Sequence, residues 1–190
     1  MIKPIYGFGF AVLKRPAEEI DEHYPELEKL ISDMWETMYN AKGIGLAAPQ
    51  IGLSMRLFII DTLQLKERAE DSEDEMEEEG LKMVFINPTI IEETGDAWLY
   101  EEGCLSIPQV TGEVERQETV SIRFQDTDFK WHEKTLEGIN ARVVQHEYDH
   151  LEGILFTDRL KALKKRLIKR KLEQIKKGKV DVAYKMKFKG

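Results

Sequence analysis

The amino-acid sequence predicts an α+β fold built as one domain. An amphipathic helical pattern comes first, short strand-like runs follow it, and further helical patterns occupy the last third of the 190-residue chain. This order favours segregated helices and strands over the regular alternation of a doubly wound parallel sheet. A chain of this length is most simply a single domain with a buried core.

The secondary-structure signals can be justified in chain order. Pro25 suits the first turn of a helix, which Gly43 should end. Three runs rich in β-branched or aromatic residues predict strands at 56–61, 82–87 and 119–124. A second helix is predicted from a cap at Asn140 to a terminating Gly153. The first helix is indicated by apolar residues at helical spacing, namely Leu27, Leu30, Ile31, Met34, Trp35 and Met38.

Charge is distributed unevenly along the chain. The formal net charge is −8, yet residues 161–190 contain 13 basic and 2 acidic side chains, which leaves the first 160 residues at −19. Nine carboxylates and one arginine lie within 67–79, so we predict a solvated acidic loop inserted at about 63–80. The spacing and glycine of an EF-hand are absent from it.

Composition excludes several classes of protein. With 42% hydrophobic and 34% charged residues the chain is typical of a soluble globular protein. No apolar run approaches the roughly 18 residues of a membrane span, and no secretory signal is visible. The single cysteine excludes an internal disulfide framework. We therefore expect a cytoplasmic protein with a reduced thiol.

The sharpest motif is His146-Glu147-Tyr148-Asp149-His150. Histidines four residues apart share one face of a helix and can bind the same ion. Imidazole is a ligand for zinc, iron, nickel and copper. Glu147, next to His146, is placed to act as a general base toward a metal-activated water. The motif predicts a metal site, and the alternative is two ordinary histidines near an acid.

A catalytic metal usually has three protein ligands and one open position. Cys104 is the favoured third ligand, because a thiolate binds zinc or iron strongly and the preceding Gly103 permits a tight turn. The other two histidines, His23 and His132, have no supporting pattern. Spacing alone leaves open a role for Cys104 as a small buried apolar residue.

A third unusual segment is Gly43-Ile44-Gly45-Leu46-Ala47-Ala48-Pro49-Gln50. It lacks the patterns of phosphate-binding loops. Its small residues would let the backbone approach a ligand closely, and the Gln50 amide could donate to a developing oxyanion. A tight connection between a helix and a strand is the alternative interpretation.

Taken together, the three segments resemble the peptide deformylase family. The family motifs are G-[IV]-G-L-A-A-x-Q, E-G-C-[LI]-S and Q-H-E-x-D-H-L-x-G. Residues 43–50, 102–106 and 145–153 match every fixed position, in the same order, and the similarity extends over about residues 5–165. The resemblance implies an α+β fold of antiparallel strands around a central metal-binding helix. Residues 1–160 would be the catalytic domain, and 161–190 a basic helix and tail of that same domain.

The resemblance also implies an activity and a metal. Family members hydrolyse the formyl group from the N-terminal formyl-methionine of new polypeptides and release formate. By carry-over, Cys104, His146 and His150 bind one divalent metal per chain and Glu147 transfers protons. The implied physiological ion is Fe(II), with Zn(II), Ni(II) or Co(II) as substitutes.

The remaining site residues follow from the same resemblance. Gln50 and the backbone N–H of Leu105 would stabilise the tetrahedral oxyanion. The Gly45 backbone would align the peptide, and Ile44 would line the methionine pocket. Two acids are candidates for the outer hydrogen bonds of the ligand histidines, with solvated surface acids as the alternative: Glu102 and Asp149.

Residues 161–177 carry nine basic side chains and predict a basic amphipathic helix. Such a helix either docks on the domain or binds RNA phosphate. An enzyme that acts on nascent chains is expected to meet ribosomal RNA. The sequence indicates neither a DNA partner nor a membrane partner. Its apolar positions are Leu160, Leu163, Leu167, Ile168, Leu172 and Ile175.

Two other functions compete with this interpretation. A zincin-type metalloprotease shares H-E-x-x-H but takes a downstream Glu or His as third ligand, and this chain offers only Glu152 and Glu173 there. A ribosome- or RNA-binding protein with a structural metal is the second alternative. A structural site would more often have four protein ligands, of which only three are evident.

Overall fold

The computed structural model describes residues 1–65 and 79–190. The prediction of a fold that combines helices with antiparallel strands is confirmed. Among the described residues no helix has the length and apolar character needed to cross a membrane. The elements in chain order are β1 (Ile5–Tyr6), η1 (Ala11–Lys14), α1 (Leu27–Asn40), β2 (Gly45–Ala47), η2 (Ala48–Ile51), β3 (Leu57–Asp61), β4 (Lys82–Cys104), β5 (Ile107–Gln125), β6 (Trp131–Glu137), α2 (Gly138–Leu151), α3 (Phe156–Arg159), α4 (Ala162–Lys176) and β7 (Met186–Lys187), where η denotes a 3-10 helix.

The main sheet has five antiparallel strands in the order β2-β3-β4-β5-β6. Its centre is one long hairpin, because β4 has 23 residues and β5 has 19. The predicted strands at 82–87 and 119–124 lie within this hairpin but cover only a part of it. The hairpin turns at Leu105 and Ser106, where Cys104 pairs with Ile107.

Irregular pairing explains why the length of the hairpin is not evident from the sequence. The register shifts at four places along β4, one of them at Gly95, whose φ of 82° lies in the left-handed region. Each such bulge interrupts the alternation of inward and outward side chains that identifies a strand. The segment around Gly95 therefore has the composition of a turn although it continues β4.

Helix α2 packs against the inner face of the sheet. Its apolar side chains enter one core cluster with Phe58, Phe85 and Val120. The predicted cap at Asn140 is wrong, because the helix begins at Gly138 and Asn140 lies inside its first turn. The Asn140 side chain instead accepts a hydrogen bond from Thr62 Oγ1 at 2.5 Å. The α2 residues in the cluster are Ala141, Val143, Val144 and Leu151.

The C-terminal elements pack against the rest of the domain. Ile168 and Ile175 of α4 are buried in a core cluster with Leu160, and strand β7 pairs in parallel with β1. Two of the apolar positions predicted for this helix point to solvent instead, because Leu163 is 68% exposed and Leu167 is 71% exposed. Helix α4 therefore docks by a narrower stripe than the sequence indicates.

One residue of the acidic segment, Glu79, belongs to the described part of the chain. Residues 66–78 lie outside the described part of the chain, so the prediction of a solvated loop over 67–79 stays a prediction for 67–78. Glu79 is exposed, and its carbonyl accepts a hydrogen bond from Asn140 Nδ2 at 2.9 Å.

Candidate metal centre

Three potential metal ligands converge where α2 meets the turn of the long hairpin. One donor atom each from Cys104, His146 and His150 lies within 4.8 Å of the others. Cys104 Sγ is 3.3 Å from His150 Nε2, and the two imidazole centroids are 5.2 Å apart. Within the described residues, no other group of His, Cys, Asp and Glu with the spacing of a metal site was found.

The secondary structure explains this convergence. His146 and His150 are one turn apart on α2, so both rings project from the same face of the helix. Cys104 is the last residue of β4, directly before the two-residue turn into β5. The sheet packs this turn over the helix, which brings together residues that are 42 positions apart in the chain.

A buried carboxylate fixes the first histidine. Glu102 Oε2 accepts a hydrogen bond from His146 Nδ1 at 2.9 Å, which leaves Nε2 of that ring free to face Cys104 and His150. Glu102 is only 5% exposed, so the alternative of a solvated acid is wrong for this residue. An outer hydrogen bond of this kind orients a ligand imidazole and raises its basicity.

Glu102 belongs to a network of buried charges. Arg116 binds both of its oxygens, through Nε at 2.7 Å and Nη2 at 3.0 Å, and Arg142 Nη1 adds a contact at 3.0 Å. Arg116 Nη1 also reaches Asp149 Oδ2 at 2.8 Å, and Arg159 pairs with both Asp149 oxygens. Asp149 is also buried, at 4% exposed, but it binds arginines and not a ligand histidine.

The environment drives the pKa values of two neighbouring acids in opposite directions. Burial alone would raise the pKa of Glu102, but hydrogen bonds from His146 and Arg116 outweigh it and hold the pKa well below its usual range. Burial raises the pKa of Glu147 to about 7. Among the described residues, Glu147 Oε2 is buried without a hydrogen-bond partner. Glu147 is thus suited to exchange a proton near neutral pH.

The two histidines also differ. Burial lowers the pKa of His150 well below its usual value, and the neighbouring His146 lowers it further. Burial would lower the pKa of His146 as well, but Cys104 and Glu102 outweigh that effect and raise it. The anionic surroundings that favour a proton on His146 would equally favour a metal cation between the three donors.

Gln50 borders the ligand cluster. Its side chain is 1% exposed and is fixed by the backbone N–H of Ala47, which donates to Oε1 at 2.8 Å. The amide group Nε2 lies 3.4 Å from Cys104 Sγ and 3.3 Å from Ser106 Oγ. Leu105 lies between these two residues in the chain, so Gln50 contacts the hairpin turn that contains the Leu105 peptide.

A cavity of about 590 Å³ opens beside these groups. Ile44 and Gly45 line it together with Gln50, Cys104 and Glu147. Gly45 is required sterically, because a Cβ at this position would collide with the Glu147 carboxylate. The residues singled out in the sequence as catalytic, metal-ligating or substrate-binding line this cavity, except His150, which contacts Cys104 behind it.

Sequence reasoning missed two parts of this site. The arginine network was not anticipated, although Arg142 stands one helical turn before His146 and could have been noticed on that basis. The C-terminal residues Asp181, Val182 and Tyr184 also line the cavity, and no local pattern indicates this.

Comparisons with known proteins agree with this geometry. The family model described as polypeptide deformylase matches residues 2–166. A peptide deformylase of Christiangramia forsetii is 56% identical over 192 residues, covering 99% of this chain and 96% of that protein. The crystal structure of a peptide deformylase from Legionella pneumophila has a TM-score of 0.79 at 37% identity and covers 94% of this chain and 98% of that one. A peptide deformylase of Plasmodium falciparum gives a TM-score of 0.80 at 35% identity, with 92% and 95% covered. The chain belongs to the polypeptide deformylase family, the hydrolases that remove the N-formyl group from new polypeptides.

Proposed function

We propose that this enzyme deformylates formyl-methionine N-termini with a single divalent metal held by Cys104, His146 and His150. The observation that carries the proposal is the convergence of these three donors beside a cavity lined by Glu147 and Gln50. One thiolate and two imidazoles leave a fourth, open position, as catalytic sites require. The finer fold assignment follows: α2 is the metal-binding helix that the strands surround.

The metal would supply a Lewis acid and lower the pKa of a bound water toward about 7. Glu147 lies beside His146 on α2 and carries a carboxyl group whose pKa is about 7. It takes a proton from the attacking water and delivers it to the amine that leaves. General acid–base catalysis of this kind contributes roughly 10²- to 10⁴-fold to a rate.

Two donors would stabilise the oxyanion that forms at the formyl carbon. Gln50 presents Nε2 next to Cys104, and the backbone N–H of Leu105 belongs to the same turn. Removal of one such donor typically costs about 3–4 kcal/mol of transition-state stabilisation. The Gly45 backbone aligns the peptide, and Ile44 contributes to the pocket for the methionine side chain.

The donor set is consistent with Fe(II) as the physiological ion, since a thiolate with two imidazoles suits iron and zinc. Zn(II), Ni(II) and Co(II) are the substitutes. The metalloprotease alternative is less well supported, because Glu152 forms an ion pair with Arg56 at 2.7 Å and is not part of the ligand cluster.

The test is hydrolysis of formyl-Met-Ala by protein purified without oxygen, with the metal content measured in parallel. Wild type is expected to release formate. Cys104→Ser should lose both metal and activity, and Glu147→Gln should keep the metal and lose activity. Retention of metal by a folded Cys104→Ser variant would support a protease-type site. A fully loaded wild type that releases no formate would contradict the proposal.

We also propose that α4 contacts ribosomal RNA and that the enzyme is cytoplasmic. Support comes from exposed basic side chains on α4, among them Lys165, Arg166, Lys169 and Arg170.

Residues 161–190 belong to the same domain as 1–160, since Ile168 and Ile175 pack into its core. Deletion of 161–190 would also damage the cavity wall, so Lys169→Glu with Arg170→Glu is the cleaner variant. Its co-sedimentation with ribosomes at low salt should fall, whereas equal co-sedimentation would exclude this contact.

A further inference from the structure

The segment 181–187, here called the return segment, folds back over the cavity that contains the ligand cluster. Asp181, Val182 and Tyr184 line that cavity. The lining of the same cavity also contains Ile44 and Gly45, which we assign to substrate binding. The return segment therefore contributes to the surface along which the peptide must lie.

Hydrogen bonds fix the return segment in this position. The Tyr184 hydroxyl donates to the Leu105 carbonyl at 2.8 Å, so the segment holds the same turn that carries Cys104. Gln109 Nε2 donates to the Asp181 carbonyl at 2.7 Å, and Lys171 of α4 in turn donates to Gln109 Oε1 at 2.7 Å.

Strand pairing fixes the other end of the segment. Met186 and Lys187 form β7, which pairs with Ile5 and Tyr6 of β1. The backbone N–H groups of Ile5 and Gly7 each donate to a carbonyl of the segment at 2.9 Å. Residues 181–184 are thus held between two anchored points and form a wall of defined position.

The wall carries an unpaired negative charge. Asp181 is exposed, and its carboxylate makes no hydrogen bond or ion pair with any described residue. Glu101 lines the same cavity and is also exposed, although its carboxylate accepts a hydrogen bond from Thr111 Oγ1 at 3.0 Å. Only one exposed lysine, Lys42, lines the described part of the cavity.

We propose that residues 181–184 form one wall of the peptide groove and that Asp181 makes the enzyme favour substrates with a basic residue soon after the formyl-methionine. This inference rests on the proposed deformylase function. A cationic side chain in the groove would approach an acidic rim, whereas an acidic side chain would be repelled. Because the rim is exposed to water, the preference is modest and weakens with salt.

The experiment compares substrate pairs that differ in one charge. Formyl-Met-Lys-Ala and formyl-Met-Glu-Ala test the second residue, and formyl-Met-Ala-Lys and formyl-Met-Ala-Glu test the third. Neutral formyl-Met-Ala reports the activity itself. Asp181→Asn is compared with wild type and with Asp96→Asn, a matched control at an exposed bulge of β4 that does not line the cavity.

Wild type is expected to favour lysine over glutamate in at least one pair, with most of the difference in KM. Asp181→Asn should reduce that ratio of kcat/KM by about 1.4- to fivefold at low salt, the range measured for exposed charge pairs. Asp96→Asn should keep the wild-type ratio. Calorimetric binding of the unformylated products Met-Ala-Lys and Met-Ala-Glu should show the same change in preference.

Two failures are distinguishable. An unchanged lysine-to-glutamate ratio in Asp181→Asn, in kinetics and in product binding, would overturn the inference while leaving the deformylase function intact. Absence of formate release from formyl-Met-Ala by loaded wild type would contradict the function and the inference with it. An equal change in Asp96→Asn would show that the effect is long-range charge and would also overturn the assignment to Asp181.

Discussion

Replacing Glu102 with glutamine tests the buried charge network directly, because the substitution removes a charge and hardly changes the size of the side chain. The Glu102 carboxylate accepts four hydrogen bonds at 2.7–3.0 Å, two from Arg116, one from Arg142 and one from His146. Glutamine offers one acceptor oxygen, and its NH₂ group would face donors. Arg142 would then remain buried without a carboxylate partner, and Arg116 would keep only its contact with Asp149.

The magnitude follows from this geometry. Removing one partner of a buried ion pair typically costs about 3–5 kcal/mol of stability. Since folded domains are stable by only about 5–15 kcal/mol, Glu102→Gln should lose a third or more of the free energy of unfolding. Loss of the hydrogen bond from His146 Nδ1 should also weaken metal binding by about 10- to 100-fold.

Urea denaturation of the metal-free protein measures the first effect, and competition with a chelator measures the second. Glu115→Gln is a suitable control, because Glu115 is exposed on β5 and should change stability by no more than about 0.5 kcal/mol. A decrease of less than about 1 kcal/mol in the unfolding free energy of Glu102→Gln would refute this reasoning, because ordinary substitutions have effects of that size. A large loss of stability with unchanged metal affinity would show that Glu102 does not orient His146.

The difference in unfolding free energy between wild type and Glu102→Gln should depend on pH in one direction. The pKa of Glu102 is lower in the folded chain than its ordinary value of 4.5. The folded state therefore binds fewer protons than the unfolded state below about that pH, and stability falls as the pH falls. The part of the stability difference between wild type and Glu102→Gln that comes from the ionised Glu102 should shrink as the pH falls below about 4.5.

Three further outcomes are expected. Burial and the charge of Cys104 raise the pKa of Tyr184 above its usual value of 10. The difference in unfolding free energy between wild type and Tyr184→Phe should therefore be constant below pH 10 and decline above it. Urea denaturation at each pH measures this difference. Gly45→Ala places a Cβ against the Glu147 carboxylate and should lower kcat about 100-fold with the metal content unchanged, whereas full activity would contradict the steric argument. Ile175→Ala should lower the free energy of unfolding by about 2–5 kcal/mol, because Ile175 is fully buried. Leu167→Ala should lower it by less than about 0.5 kcal/mol, because Leu167 is exposed. Equal losses for the two variants in urea denaturation would contradict the docking of α4 through Ile175.

The candidate site could be predicted from the sequence where its geometry is local. Two histidines four residues apart must share a helix face, so their pairing needs no knowledge of the fold. Cys104, Gln50 and Leu105 lie on other elements; ligand chemistry favoured Cys104 as the partner of the two histidines, but spacing left this open, and the resemblance to a family connected all three with α2. The structure places all of them at one cavity, because the hairpin turn and the segment after α1 both pack over α2.

The rest could not be predicted because its contacts join distant residues without a local pattern. Arg116 is a charged residue at an inward position of β5, in phase with the buried Val110 and Val114, and its partner Glu102 lies on another strand. The return segment is short and mixed in composition, and its contact with the Leu105 carbonyl through Tyr184 depends on anchors elsewhere in the chain, among them the pairing of β7 with β1. Long β strands interrupted by bulges likewise lose the period of two on which strand prediction depends.

Glu102, which is hydrogen-bonded to His146, and Glu147, which follows His146 in the chain, are two acids with different functions. Both are buried, so burial raises the pKa of each. Glu102 receives three hydrogen bonds from guanidinium groups and stays ionised, which suits a group that must orient a ligand imidazole at every pH of interest. Glu147 Oε2 has no hydrogen-bond partner among the described residues, so burial dominates and its pKa reaches about 7. Environments that separate the pKa values of neighbouring acids are typical of acid–base catalysis. Because the arginines bind Glu102 and leave Glu147 alone, their arrangement supports Glu147, and not Glu102, as the group that transfers protons in the proposed reaction.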